Sequence, residues 1–350
     1  MPPGTSTAAV ATDHARDLDR LAAEIADLSR PPGPADAETA TRLASCRVNR
    51  ASLSGDVSEM RRAAESVDAA LTRFGPWADL CFLRAGVHLK QHRLAEAVAS
   101  LARADGLAGS SDGRAIRADA DLQLGRYREA RRAYERLVAE TRSWDALARL
   151  AHFEQMLGDP ERADALFTEA ADEITAKELR SYAWVETHWG LLHQRHGRLD
   201  EAELHHERAR AAYSGHWLVE RHLAELRAAQ GQVDEAIGLC EDAAERTARP
   251  ELAHAAGDLR RRAGDAVEAR AWHDRALAGY LESVRLGEVQ YHHHLVEYHA
   301  DVAGDGAVQR PGQRRHEAVD MARRALASGV RDPRVLGRIS AIDDSLHVHR

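Results

Sequence analysis

Two tetrapeptides of this 350-residue chain carry the same chemistry, His222-Leu-Ala-Glu225 and His294-Leu-Val-Glu297. Between them lies the reversed pair Glu251-Leu-Ala-His254. On a helix, a three-residue step puts imidazole and carboxylate on one face, as helix-borne metal ligands require. Together with two flanking residues they form a candidate metal set: His222, Glu225, Glu251, His254, His293, His294, Glu297 and Asp301. Imidazole and carboxylate donors suit a divalent Zn, Fe, Ni or Mn ion, and the lack of neighbouring cysteine argues against a thiolate site. An ion held there would activate water or oxygen, as in a metal-dependent hydrolase or oxygen-activating enzyme. Storage or sensing of the ion without turnover is a further reading. The competing one is a polar surface that clamps a peptide with no metal.

Other chemistry is missing from the sequence. There is no phosphate-binding G-x-x-x-x-G-K-[ST] loop, no H-E-x-x-H, no G-x-S-x-G and no dinucleotide-binding glycine pattern. Charged residues make up 30% and the formal net charge is −8, which argues against non-specific binding to nucleic acid or an anionic membrane. Cys46, Cys81 and Cys240 are few, odd in number and far apart, so they read as reduced thiols and not as a disulfide framework. No apolar run is long enough to span a bilayer, and the first residues lack the basic and apolar regions of a signal peptide. A cytoplasmic protein is expected.

The elements that must position these side chains are helical. Hydrophobic residues reach 44% while aromatic ones are 5%, so the apolar content is mostly Ala and Leu. A short frame recurs around Ala97, Ala130, Ala163, Ala202, Ala236, Ala269 and Ala318, at spacings of 33, 33, 39, 34, 33 and 49 residues. Gly125, Gly158, Gly197, Gly231 and Gly264 each stand five residues before such an alanine. Twelve before it stands a small residue (Ala85, Ala118, Ala151, Gly190, Ala224, Gly257), and four after it a larger one (Leu101, Tyr134, Phe167, His206, Cys240, His273). Small residues let two antiparallel helices approach closely, and a glycine ends the first helix of each pair. One pair cannot bury its apolar stripe alone, so the pairs stack.

This frame resembles the tetratricopeptide-repeat (TPR) superfamily, whose period is 34 residues. The resemblance implies an all-α, right-handed superhelix of about seven to eight helix pairs with a capping helix. Its clear repeats run from about 75 to 330 within a solenoid over 36–345. Residues 1–35 are expected to form a tail with a loosely docked or frayed helix before the Pro31-Pro-Gly-Pro34 linker, and 346–350 a second tail. Asp172–Leu179 and Gly304–Arg315 are read as connections, and Asp332–Ile342 as the capping helix. The stretch 287–301 also resembles the terminal repeat of a group of bacterial TPR proteins with an HHLAD-FYAD-like run. His293, His294 and Asp301 match that run, while Glu297 replaces Asp and His299 departs from it.

The TPR resemblance further implies that the first helix of each pair lines a concave groove, where a peptide or protein segment binds. On that face Arg221, Asp258, Arg261, Arg262, Trp184 and His188 are the expected ligand contacts, alongside the metal set. His206 and His273 take frame positions that belong to packing residues and are read as structural. Glu203 and His206 lie on a second helix, away from the groove. Of the 20 histidines, 13 fall between His188 and His299, but only His222, His254, His293 and His294 are expected to share the groove with carboxylates.

Overall fold

The computed structural model describes residues 11–104, 109–175, 178–288 and 290–302, together with Arg324. Among the described residues the chain forms sixteen α-helices and no strand. They are α1 (Asp13–Leu28), α2 (Ala37–Ser54), α3 (Val57–Phe74), α4 (Ala78–Lys90), α5 (Leu94–Ala102), α6 (Ser111–Gln123), α7 (Tyr127–Thr141) and α8 (Trp144–Leu157). There follow α9 (Pro160–Glu173), α10 (Leu179–Arg195), α11 (Leu199–Ala212), α12 (Trp217–Ala229), α13 (Val233–Arg246), α14 (Pro250–Arg262), α15 (Ala266–Arg285) and α16 (Tyr291–Val302). The expected connections at 304–315 and capping helix at 332–342 lie outside the described residues.

The recurring frame explains the pairing. The alanines at 85, 97, 118, 130, 151, 163, 224 and 236 are fully buried where helices of a pair cross. Tyr134, Phe153 and Phe167 fill the space between consecutive pairs, each such burial contributing roughly 1.5–3 kcal/mol. Gly125, Gly197, Gly231 and Gly264 end their helices with φ of +76°, +73°, +83° and +84°, a region that costs other residues a steric clash. In the first clear repeat His92 takes that place at φ 55°. Asp36, Asp56, Asp159 and Asp265 cap helix starts by accepting backbone N–H bonds.

The solenoid closes on itself, which the frame does not announce. Three connections near the N-terminus stack on three connections near the C-terminus. At the start of α1, the Asp13 carboxylate accepts bonds from Ser214 N (2.9 Å) and Ser214 Oγ (2.6 Å), and Tyr213 donates to Asp17 at 2.8 Å. Between α2 and α3, Ser54 O accepts from Ala248 N at 3.0 Å, and Ser52 O accepts from Arg249. Beyond α4, Gln91 donates to Glu288 at 2.8 Å and Arg93 to Gly287 O at 3.1 Å. The first helix takes part in this seam. It is tied to the α11–α12 connection, and its Leu18, Leu21, Ile25 and Leu28 pack on Cys46 and Leu53.

Arg249 occupies the middle of this seam. Its guanidinium lies 3.8 Å from the Trp217 ring centroid, donates to Ser52 O and reaches Glu251 at 3.2 Å. Its stem crosses Gly55, where any Cβ would collide with it. Replacing Arg249 with Ala removes a cation–π contact and a buried charge-assisted hydrogen bond, so it should cost about 2 kcal/mol. It should also speed amide exchange at 54–55 and 248. Hydrogen exchange followed by mass spectrometry checks this, and unchanged exchange at those sites would count against Arg249 as the closing contact.

Candidate functional site

Helices α12, α14 and α16 are the first helices of successive pairs, and they carry the two H-L-x-E pairs and the E-x-x-H pair. On α12, Glu225 is held twice: His222 Nδ1 lies 2.8 Å from Oε2, and Arg221 Nε donates to Oε1 at 3.2 Å. Burial pushes the Glu225 carboxyl up, but His222 and then Arg221 outweigh it and bring its pKa down to about 2. Burial likewise disfavours the Arg221 charge, and Glu225 followed by Glu251 more than restores it. On α16, His294 Nδ1 lies 3.4 Å from Glu297 Oε2, and its ring stacks on Tyr280 at 5.7 Å. The His293 ring lies tilted against His294 at 4.1 Å and stacks on His92 across the seam at 5.4 Å.

The middle helix departs from the expected pairing. Glu251 and His254 share a face without sharing a partner, because Arg249 takes the carboxylate. His254 turns instead toward Asp258 and His273, the latter on the second helix α15. The expected eight-residue metal set is therefore divided. His222 and Glu225 pair with each other, Glu251 is bound to Arg249, and His254 sits with Asp258 and His273. Asp301 lies in α16, but its side chain is outside the described residues.

Of the expected ligand contacts, Arg221 and Asp258 belong to this region, and Arg261 donates to Asp258 at 2.9 Å. Arg262 is exposed at the end of α14. Trp184 and His188 form an aromatic cluster with His152, with ring centroids 4.1–6.0 Å apart, on α8 and α10. Two clefts of about 410 and 310 Å³ lie on α6–α8, lined by residues such as Arg131, Glu154, Arg114 and Asp121.

Three cations that sequence reasoning did not single out converge near the seam. Lys90 ends α4, Arg180 begins α10 and Arg249 precedes α14. Lys90 is exposed to solvent yet surrounded by protein, and burial, then Arg249, then Arg180 hold its pKa below the ordinary lysine value. Among the described residues, the charges that shift it are these two cations. Sequence offered no signal for this, since 159 residues separate Lys90 from Arg249.

The comparisons bear on the fold. No protein-family model matches the chain, and no curated protein does. Solved structures do. The APC/C hetero-tetramer Cut9–Hcn1 superposes with a TM-score of 0.54, at 13% identity, over 94% of this chain and 62% of that one. The fold is that of the tetratricopeptide repeats. This chain thus spans less than two thirds of that structure's chain. A tetratricopeptide repeat protein from Parabacteroides merdae is also similar, at 17% identity and a TM-score of 0.45, over 70% of this chain and 93% of that one.

Within the TPR frame, two histidines replace packing residues in a way that the sequence does register. The two repeats with glycine where the others have alanine, Gly190 and Gly257, are the two whose partner position holds histidine, His206 and His273. A Cβ on Gly190 would lie 2.7 Å from His206 Cε1, and one on Gly257 would collide with the His273 ring. Each glycine makes room for an imidazole. His206 is wholly buried with both ring nitrogens unpartnered, and burial, then His222, push its pKa down to about 3.

Gly190→Ala alone should cost about 1–3 kcal/mol through overpacking. Adding His206→Leu recreates the Ala85–Leu101 pairing and should recover most of that loss. Urea unfolding of the single and double variants measures the coupling, and additive effects would contradict it. A pH dependence also follows. His206 stays neutral when folded but titrates at its ordinary value when unfolded. Stability is therefore full above about pH 6.5 and falls on acidification toward pH 3, at up to about 1.4 kcal/mol per pH unit. Urea midpoints at pH 7 and 4.5 should converge in the Gly190→Ala/His206→Leu variant relative to the parent.

Proposed function

We propose that this chain is a cytoplasmic binding scaffold that holds an acidic polypeptide segment inside its closed TPR solenoid. The observation that carries the reading is the convergence of Lys90, Arg180 and Arg249. Lys90 and Arg180 make no hydrogen bond or ion pair among the described residues, and the charges that act on Lys90 are both cationic. Cations held near one another repel, and an anionic segment relieves that cost. The whole chain carries −8, so this local patch opposes the general field and selects where an acidic partner docks.

The neighbouring polar stripe supplies direction to a bound backbone. Glu251 Oε2 and Tyr280 OH are buried without a hydrogen-bond partner among the described residues, and burial, then Glu251, keep the phenol protonated as a donor. Arg221 and Glu225 flank them from α12. The resemblance of 287–301 to the terminal repeat of a bacterial TPR group fits a shared polar site there. The Cut9–Hcn1 structure is itself an assembly of this fold with other chains.

Fluorescence anisotropy with labelled glutamate-rich, lysine-rich and uncharged peptides, and with an RNA oligonucleotide, tests the reading. The acidic peptide should bind best, weaken as salt is raised, and lose more than about tenfold in affinity in Lys90→Glu/Arg180→Glu. Equal binding of the lysine-rich peptide, or an unchanged affinity in that variant, would overturn it. Tighter binding of RNA would replace the polypeptide with a polyphosphate ligand.

A further inference from the structure

We infer that His254, Asp258 and His273 form a site for a divalent first-row transition ion, with two imidazoles and one carboxylate as ligands. This set goes beyond the scaffold reading, which does not require it. It also differs from the helix-face pairs that the sequence suggested, because one ligand comes from the second helix of the pair.

The geometry is close to that of a loaded site. One donor atom from each residue lies within 4.8 Å of the other two. Asp258 Oδ1 is 3.1 Å from His273 Nε2, and Asp258 Oδ2 is 3.7 Å from His254 Nε2. Donors bound at 2.0–2.2 Å to a tetrahedral ion stand about 3.3 Å apart, between those two values. The His254 contact is too long for a hydrogen bond. His254 is only 7% exposed, and its Nε2 is buried with no hydrogen-bond partner among the described residues. An unpartnered ring nitrogen in that space is an atom an ion would take as a ligand.

The surroundings support the set. Arg261 Nη2 donates to Asp258 Oδ1 at 2.9 Å, the oxygen that also meets His273, and fixes the carboxylate as outer-shell partners do. Tyr298 packs on both imidazoles, at 5.3 Å from His254 and 6.1 Å from His273. Two imidazoles select a transition ion over magnesium or calcium, which prefer all-oxygen shells. Three protein donors leave one coordination position for water or an external ligand.

The chain contains its own comparison. Gly190 and His206 repeat Gly257 and His273 at an offset of 67 residues. In that earlier copy, Thr187 stands where His254 is, and Leu191 where Asp258 is. The imidazole that fills a glycine gap thus occurs twice, but only the later copy is furnished with a second imidazole and a carboxylate. Packing alone accounts for the first copy and leaves His254 and Asp258 of the second unexplained.

Calorimetric titration of the full chain, freed of any affinity tag, with Zn²⁺ tests this, together with Co²⁺ absorption spectra. About one equivalent should bind. Asp258→Asn should weaken binding more than about tenfold. Gly257→Ala/His273→Leu rebuilds the Ala85–Leu101 pairing, so it should remain helical by circular dichroism and lose the ion. His254→Gln gives a second removal of a ligand on an undisturbed helix pair. Gly190→Ala/His206→Leu should bind as the parent does. No binding by the folded parent, or parental binding by either Gly257→Ala/His273→Leu or His254→Gln, would overturn the assignment.

Discussion

Arg249 is the contact on which the arrangement of this molecule depends. Its guanidinium lies on Trp217, bonds the Ser52 carbonyl and pairs with Glu251, so one side chain joins α2, α12 and α14. A stack of helix pairs held only by neighbour contacts is an open spring, because each pair touches the next and nothing beyond. Here the spring is shut, and the charges of Arg249 and Arg180 act on Lys90 of the fourth helix. Gly55 is part of the same device, since its missing Cβ is where the Arg249 stem passes.

A second economy lies in the Gly–His exchange. At the crossing of a helix pair the available volume is shared between a small residue on one helix and a larger one on its mate. Removing a methyl group at Gly190 or Gly257 admits a ring at His206 or His273. That ring is polar, so burial imposes a cost that the surroundings must answer. At His206 no hydrogen bond among the described residues answers it, and the imidazole stays neutral to low pH. At His273 the Asp258 carboxylate answers it at 3.1 Å, which brings a third donor, His254, into the same space. The same packing solution therefore yields inert core in one repeat and coordination chemistry in another.

The H-L-x-E pairs show how much of the site a helical spacing conveys. His222 with Glu225 and His294 with Glu297 meet as a three-residue step requires, because both partners ride one helix. Glu251 and His254 have the same spacing and do not meet. Arg249 precedes α14 and competes for the carboxylate more strongly than a neutral imidazole does. His273 was legible as a large residue at a packing position, and its pairing with Gly257 was visible as a coincidence between two columns of the repeat. Its approach to Asp258 was not, since the distance between a second helix and a first one depends on how closely the two cross.

By itself the sequence determined the local and periodic part of this protein. The small-residue frame, the glycines at helix ends and the 33–39-residue spacings within 97–269 specify helices, their boundaries and their antiparallel pairing. These depend on steric rules that act over a few residues. Tertiary structure alone decided the rest: that α1 docks on the α11–α12 connection, that the ends meet at Arg249, and that Lys90 and Arg180 share a space. Each pair adds a small rotation, and whether the ends meet is the sum of all those rotations. No single repeat encodes that sum, so the charges brought near one another by closure are invisible until the whole solenoid is built.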